Sequence, residues 1–172
     1  MLTGGGTLGS VTPLLALVES WRRENPSLTF CWVGTTFGPE ELLIKKAGLK
    51  FYPIVSGNLP RYLSFRIITA PFKTLAGFVS ALKLVARLKP SLIISAGAYV
   101  SVPVAYAGYF FGIPIAIHQQ DKRQGLANQL MWPIASLKTS VWAMKGARTI
   151  GNFVRESIVE PPESSALAAL GI

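Results

Sequence analysis

The sequence predicts an α/β fold built on a doubly wound parallel sheet, and three observations carry that prediction. Apolar strand-like runs alternate with helix-like ones along the chain. Glycine-rich turns follow the first and fourth strand-like runs, at Thr3–Pro13 and Ser95–Pro103. The inner runs stay apolar instead of alternating with polar residues, as strands do when helices cover both faces of a sheet.

Taken in order, only Met1 and Leu2 precede the first glycine turn. A first strand of about five residues is usual there, so the chain is expected to be a piece of a longer one. A helix follows from Val11 to Arg23, with Val11, Leu14, Leu15, Val18 and Trp21 along its apolar side. Strand Leu28–Val33, helix Pro39–Lys46 and strand Lys50–Val55 come next. The segment Tyr62–Leu88 is apolar and basic, and Pro71 is expected to break it. At helical spacing Phe72, Leu75, Ala76, Val79, Leu82 and Ala86 form one apolar face, expected to pack on the sheet. Strand Leu92–Ser95, helix Ser101–Phe111, strand Ile115–His118, a helix near Gly125–Met131 and a strand near Thr139–Trp142 complete the pattern. Beyond Arg155 the stretch Glu160-Pro-Pro-Glu-Ser-Ser165 reads as a linker. Residues 1–155 are therefore expected to form one Rossmann-like domain and residues 156–172 the linker leaving it.

A chain of 172 residues, half of them hydrophobic, can bury a full core and is not a disordered one. Its 17 Lys and Arg against 8 Asp and Glu give a net charge of +9, which calls for an anionic partner. Apolar and basic together point to an acidic membrane surface or a phosphorylated substrate. Nucleic-acid binders instead cluster their charge in polar stretches. Residues Ser91 to Gln120 contain no Lys, Arg, Asp or Glu. Pro103 and the Gly112-Ile113-Pro114 stop still limit any helix there to roughly ten residues, about 15 Å, against a bilayer core of roughly 30 Å. No transmembrane span and no leader is expected. Cys31 sits in an apolar run and is expected to be a packing residue, which suits a cytosolic location. One His, one Cys and few carboxylates offer no metal-ligand spacing, so neither metal nor cofactor is expected.

The chemistry is expected at three places. The first is the loop Thr3-Gly-Gly-Gly-Thr-Leu-Gly-Ser10, with Pro13 suited to a first helical turn. A helix N-terminus beyond such a loop offers N–H groups and a positive dipole end to a phosphate. Gly4, Gly6 and Gly9 match the dinucleotide pattern, but the second strand ends Val33-Gly-Thr-Thr36 without the acid that holds a ribose. That disfavours a nucleotide-cofactor oxidoreductase. The second place, Ser95-Ala-Gly-Ala-Tyr-Val-Ser101, repeats the arrangement, and two such loops on one sheet edge could hold a diphosphate between them. The third is His118-Gln-Gln-Asp121 followed by Gly125-Leu-Ala-Asn128, where the only histidine falls at a strand end.

Together these segments resemble the MurG family, whose members transfer N-acetylglucosamine from UDP-N-acetylglucosamine to undecaprenyl-diphosphate-linked muramyl pentapeptide. The family pattern is a Thr-Gly-Gly-Gly-Thr-Gly-Gly-His loop and a Gly-Gly-Tyr-Val-Ser loop. A His-Glu-Gln-Asn strand end, a Gly-Leu-Ala-Asn stretch and a Gly-Asn-Pro-Val-Arg stretch follow. Here Thr3–Ser10, Gly97–Ser101, His118–Asp121, Gly125–Asn128 and Gly151-Asn-Phe-Val-Arg155 stand in that order. Leu8 and Ser10 occupy the places of a glycine and the loop histidine. Ala98 replaces a glycine, Gln119 and Asp121 replace glutamate and asparagine, and Phe153 replaces proline.

The resemblance implies the N-terminal, acceptor-binding half of a GT-B glycosyltransferase. Its donor UDP-N-acetylglucosamine would be held by a C-terminal domain beyond this chain. Gly5, Gly6, Thr7, Gly9, Ser10, Tyr99 and Ser101 would then bind the acceptor diphosphate. Gln120, Asn128, Asn152 and Arg155 would face the sugar or the donor side. A serine hydroxyl is a poor base, so His118 and Asp121 are the catalytic candidates. An undecaprenyl acceptor stays in the bilayer, so an anionic membrane surface on the cytoplasmic face is the expected peripheral docking partner. Phe65, Arg66, Ile67 and Lys73 are the expected docking residues. The alternative is a stand-alone, non-catalytic module that binds lipid diphosphates or recruits a separate donor subunit. No nucleic acid is expected as a partner.

Overall fold

The computed structural model describes residues 1–55 and 66–155, and of residues 66–74 the backbone alone. The strands are β1 (Leu2–Thr3), β2 (Cys31–Thr35), β3 (Lys50–Ile54), β4 (Ile93–Ser95), β5 (Ile115–Gln119), β6 (Leu137–Ser140) and β7 (Arg148–Thr149). The helices are α1 (Thr12–Glu24), α2 (Glu40–Lys46), α3 (Arg66–Leu88), α4 (Ser101–Phe110) and α5 (Leu126–Met131). The strands form one parallel sheet in the order β3-β2-β1-β4-β5-β6-β7. The expected doubly wound sheet is present, and its direction of winding reverses between β1 and β4. Loops leaving neighbouring strands diverge to opposite faces at such a point and open a crevice at the strand C-termini.

The two faces carry separate cores. Leu2, Val11, Leu14, Val18, Trp32 and Ile44 bury α1 and α2 against one face. Val33, Ile54, Val85, Val104, Ile115 and Ile117 bury α3, α4 and α5 against the other. Period-two alternation assigns each strand residue to a face: Ile115 and Ile117 join the second core, and Ala116 the first. Burial pushes the Cys31 thiol above its ordinary pKa, consistent with a packing residue.

Four expectations differ from the structure. Strand β2 begins at Cys31 rather than Leu28, because residues 25–28 turn the chain out of α1. Asn25 Oδ1 there accepts from the Ser27 amide at 3.2 Å and the Ser27 hydroxyl at 2.6 Å. Strand β6 lies two residues earlier than expected, and β7 has two exposed residues with no apolar pattern to announce it. Pro71 does not break α3, which runs unbroken from Arg66 to Leu88. So near the helix start a proline costs one ladder bond, to the Ile67 carbonyl.

The face of α3 also differs. Leu75 is 61% and Val79 44% exposed, and Ala76 and Ala86 face solvent too, while Gly77, Ala81, Leu84 and Val85 are buried. A side chain at Gly77 would collide with the Val55 carbonyl oxygen. The small stripe Gly77–Ala81 thus lets the helix backbone sit directly on the end of β3. Close approach outweighs the larger apolar side chains, which are left on the surface.

Candidate functional site

A cleft of about 360 Å³ opens where the crevice is expected, over the C-terminal ends of β1, β4 and β5. Its walls are the first glycine loop (Gly5–Ser10), the second loop (Ala96–Val100), Gln119–Asp121 and the start of α5 up to Asn128. Among the described residues Asp121 is the one carboxylate that lines the cleft, and no Lys, Arg or His lines it.

The first loop is held from below. The Trp32 indole N–H donates to the Gly4 carbonyl at 2.9 Å, and the Gly4 amide donates to Val33 at 3.3 Å. Glu40, fully buried at the start of α2, ties the loop to β2. Its Oε1 accepts from the Thr35 amide at 2.7 Å and the Thr35 hydroxyl at 2.5 Å. Its Oε2 accepts from the Gly6 amide at 3.2 Å. Side chains at Gly5 or Gly38 would run into this carboxylate, so the glycines are spaced for Glu40 as well as for a ligand. Sequence reasoning missed Glu40. An acid in a helix's first turn ordinarily reads as a solvated complement to the helix dipole.

The second loop turns through Gly97 at φ +107° and Ala98 at φ +87°. Ala98 replaces the pattern's glycine and holds a conformation that disfavours any Cβ, a strain of about 1–2 kcal/mol. The Ser95 hydroxyl accepts from the Gly97 amide at 3.0 Å, and the buried Ser101 hydroxyl donates to the Gly97 carbonyl at 2.9 Å. Ser101 therefore sits beneath the loop and shapes it, outside the cleft.

In the third loop Gln119, 2% exposed, organises its neighbours. Its Nε2 donates to the carbonyls of Asp121 at 2.8 Å and Arg123 at 3.1 Å, and its Oε1 accepts from Asn128 Nδ2 at 2.6 Å. Carbonyls only accept, so this network fixes both amide orientations and leaves Asn128 Oδ1 buried without a partner among the described residues. Ser10 Oγ, in the wall formed by the first loop, is likewise buried with no partner among the described residues.

The structure thus brings Gly5, Gly6, Thr7, Gly9, Ser10, Tyr99, Gln120, Asp121 and Asn128 to one cleft. His118, Asn152 and Arg155 lie elsewhere. Alternation turns His118 to the α1 side of the sheet, where it is 1% exposed and its ring lies 4.5 Å from that of Phe153. Thr139 Oγ1 donates to the Ile117 carbonyl at 3.2 Å, so it accepts from His118 Nδ1 at 3.0 Å, which assigns the ring proton to Nδ1. Burial lowers the His118 pKa, opposed by the Asn152 side chain. Arg155 pairs with Glu19 on α1 at 2.6 Å and so pins the segment that covers His118. Of the docking residues, Phe65 and the side chains of Arg66, Ile67 and Lys73 lie outside the described residues.

The N-terminal domain of glycosyltransferase family 28 matches residues 1–137. A UDP-N-acetylglucosamine--N-acetylmuramyl-(pentapeptide) pyrophosphoryl-undecaprenol N-acetylglucosamine transferase of Clostridium botulinum is 36% identical, over 93% of this chain and 47% of the relative. The corresponding transferase 2 of Bacillus cereus is 34% identical, over 99% of this chain and 50% of the relative. The crystal structure of Acinetobacter baumannii MurG superimposes with a TM-score of 0.75 at 27% identity, covering 91% of this chain and 46% of that one. The chain spans about half the length of the curated relatives it matches. A doubly wound sheet with two glycine loops over one cleft, together with these similarities, places the chain in glycosyltransferase family 28, of which it carries the N-terminal domain.

Proposed function

We propose that this domain is the acceptor-binding half of an inverting transferase, which moves N-acetylglucosamine from UDP-N-acetylglucosamine to undecaprenyl-diphosphate-linked N-acetylmuramyl pentapeptide. The observation that carries the reading is the meeting of both glycine loops over one cleft at the reversal of strand order. The donor sugar nucleotide belongs to a C-terminal domain, as in the two-domain GT-B architecture. Asp121, exposed on the cleft wall, is the group placed to take the proton of the acceptor hydroxyl. His118 instead supports the strand end and the segment that leads out of the domain.

The test joins this chain to the donor half of its Clostridium relative and follows transfer to a lipid-linked acceptor. The chain alone should transfer nothing and the joined protein should be active. Asp121→Asn should lower its kcat by about a hundredfold, the lower range for general base catalysis. Transfer by the unjoined chain, or full activity of Asp121→Asn, would overturn the assignment.

We further infer that the domain docks peripherally on the cytoplasmic membrane face through α3. Among the described residues no helix is long and apolar enough to cross a membrane. Leu75 and Val79 nevertheless stand exposed on α3, with Lys83 and Arg87 also exposed. Phe65, Arg66, Ile67 and Lys73 belong to the same stretch of chain. Partly inserted apolar side chains and roughly 1 kcal/mol per basic residue near an anionic leaflet supply the attraction. Arg66→Glu, Lys73→Glu and Phe65→Ser together should release the protein from anionic vesicles in a sedimentation assay. Unchanged co-sedimentation would move the docking surface elsewhere.

A further inference from the structure

The proposed ligand is a diphosphate ester, yet among the described residues no cation lines the cleft that would hold it. The first glycine loop is also less available than its sequence suggests. The Gly6 amide is already bonded to Glu40, and that buried carboxylate repels an anion resting on the same turn. A helix N-terminus contributes only about half a charge. The roughly two negative charges of a diphosphate ester must be balanced from the rim.

Two cations among the described residues flank the cleft. Lys122 and Arg123 lie on the short stretch between Asp121 and Gly125, both of which line the cleft, so the pair flanks the cleft without lining it. Both are exposed, and neither side chain has a partner among the described residues. Their backbone is not loose: Gln119 grips the carbonyls of Asp121 and Arg123 from below. The neighbouring Asp121 is the opposing charge on this rim. Deeper in, Asn128 Oδ1 and Ser10 Oγ are buried with no partner among the described residues, positions suited to hydroxyl groups of the ligand's sugar.

We propose that Lys122 and Arg123 form the diphosphate clamp of this domain, closing over the acceptor's diphosphate from the third loop while the glycine loops shape the cleft beneath it. This rests on the acceptor-site reading above. A lipid diphosphate and a sugar nucleotide share the recognised group, so the experiment includes both.

Calorimetric titration of the chain with inorganic pyrophosphate, geranyl diphosphate and UDP tests the clamp. Pyrophosphate and geranyl diphosphate should bind the parent, and UDP should bind more weakly. Lys122→Glu with Arg123→Glu should weaken binding of both by about tenfold or more, because charge-assisted bonds of about 1.5–3 kcal/mol are lost. Lys122→Arg with Arg123→Lys should keep parental affinity. A charge-reversed protein that binds geranyl diphosphate like the parent overturns the clamp and leaves the acceptor site standing. A parent that binds neither diphosphate overturns both. UDP bound more tightly than geranyl diphosphate gives the rim to the donor and overturns the assignment to the acceptor.

Discussion

Replacing Glu40 with alanine is expected to cost the domain about 3 kcal/mol, the sum of orphaned amide and hydroxyl donors and an emptied polar cavity. Three donors lose their acceptor at once: the Thr35 amide, the Thr35 hydroxyl and the Gly6 amide. Gly6 is exposed, so water satisfies part of its loss, whereas the two Thr35 groups are only half accessible. The glycines around the carboxylate have no side chains with which to refill its place. For a domain of this size a loss of that order lowers Tm by roughly 6–12 °C. Glu40→Gln should cost less, roughly 1 kcal/mol, because its carbonyl still serves Thr35 while its amide now faces the Gly6 N–H. Urea unfolding of the three proteins measures the differences, and amide exchange at Gly6 and Thr35 locates them. If Glu40→Ala unfolds at the parental midpoint, the carboxylate does not hold the glycine loop.

The parts of this domain that the sequence disclosed are those written in local patterns. Strand and helix alternation gave the doubly wound sheet, and glycine with hydroxyl residues after β1 and β4 marked both loops of the cleft. What stayed hidden depends on contacts between distant residues. Glu40 lies 34 positions from the Gly6 amide it accepts, and nothing local separates it from its half-buried neighbour Glu41 on the same turn. The buried face of α3 was misread because Gly77 and Ala81 weigh little in hydropathy, although their smallness is what allows contact with β3. The position of His118 at a strand end was legible, but not which face it takes. That depends on alternation counted from Ile115 and on the segment Asn152–Arg155, which Glu19 holds in place.

Converting Gln119 to glutamate, the residue of the family pattern, is expected to destabilise this domain by about 2 kcal/mol at neutral pH, two lost donors at about 1 kcal/mol each. In that pattern the loop reads Glu-Gln-Asn; here it reads Gln-Gln-Asp, so the carboxylate has moved from a buried position to the cleft wall. The buried position now needs a donor. Gln119 Nε2 faces two carbonyls, and a carboxylate oxygen there opposes them both. The bond from Asn128 survives, since a carboxylate still accepts it. The new carboxyl has one O–H, and only when protonated, so it then satisfies one of the two carbonyls and its folded pKa rises above the ordinary value of about 4.3. A raised folded pKa contributes stability that is present below the unfolded pKa and lost as pH rises through the folded one. The deficit of Gln119→Glu against the parent should therefore fall to about 1 kcal/mol near pH 4, the one donor still missing, and grow toward pH 7, with the urea midpoints diverging as pH rises. The same change loosens the loop that presents Asp121, Lys122 and Arg123. A deficit that is absent at pH 7, or that shrinks as pH rises, would show that the Gln119 amide does not hold the third loop over the cleft.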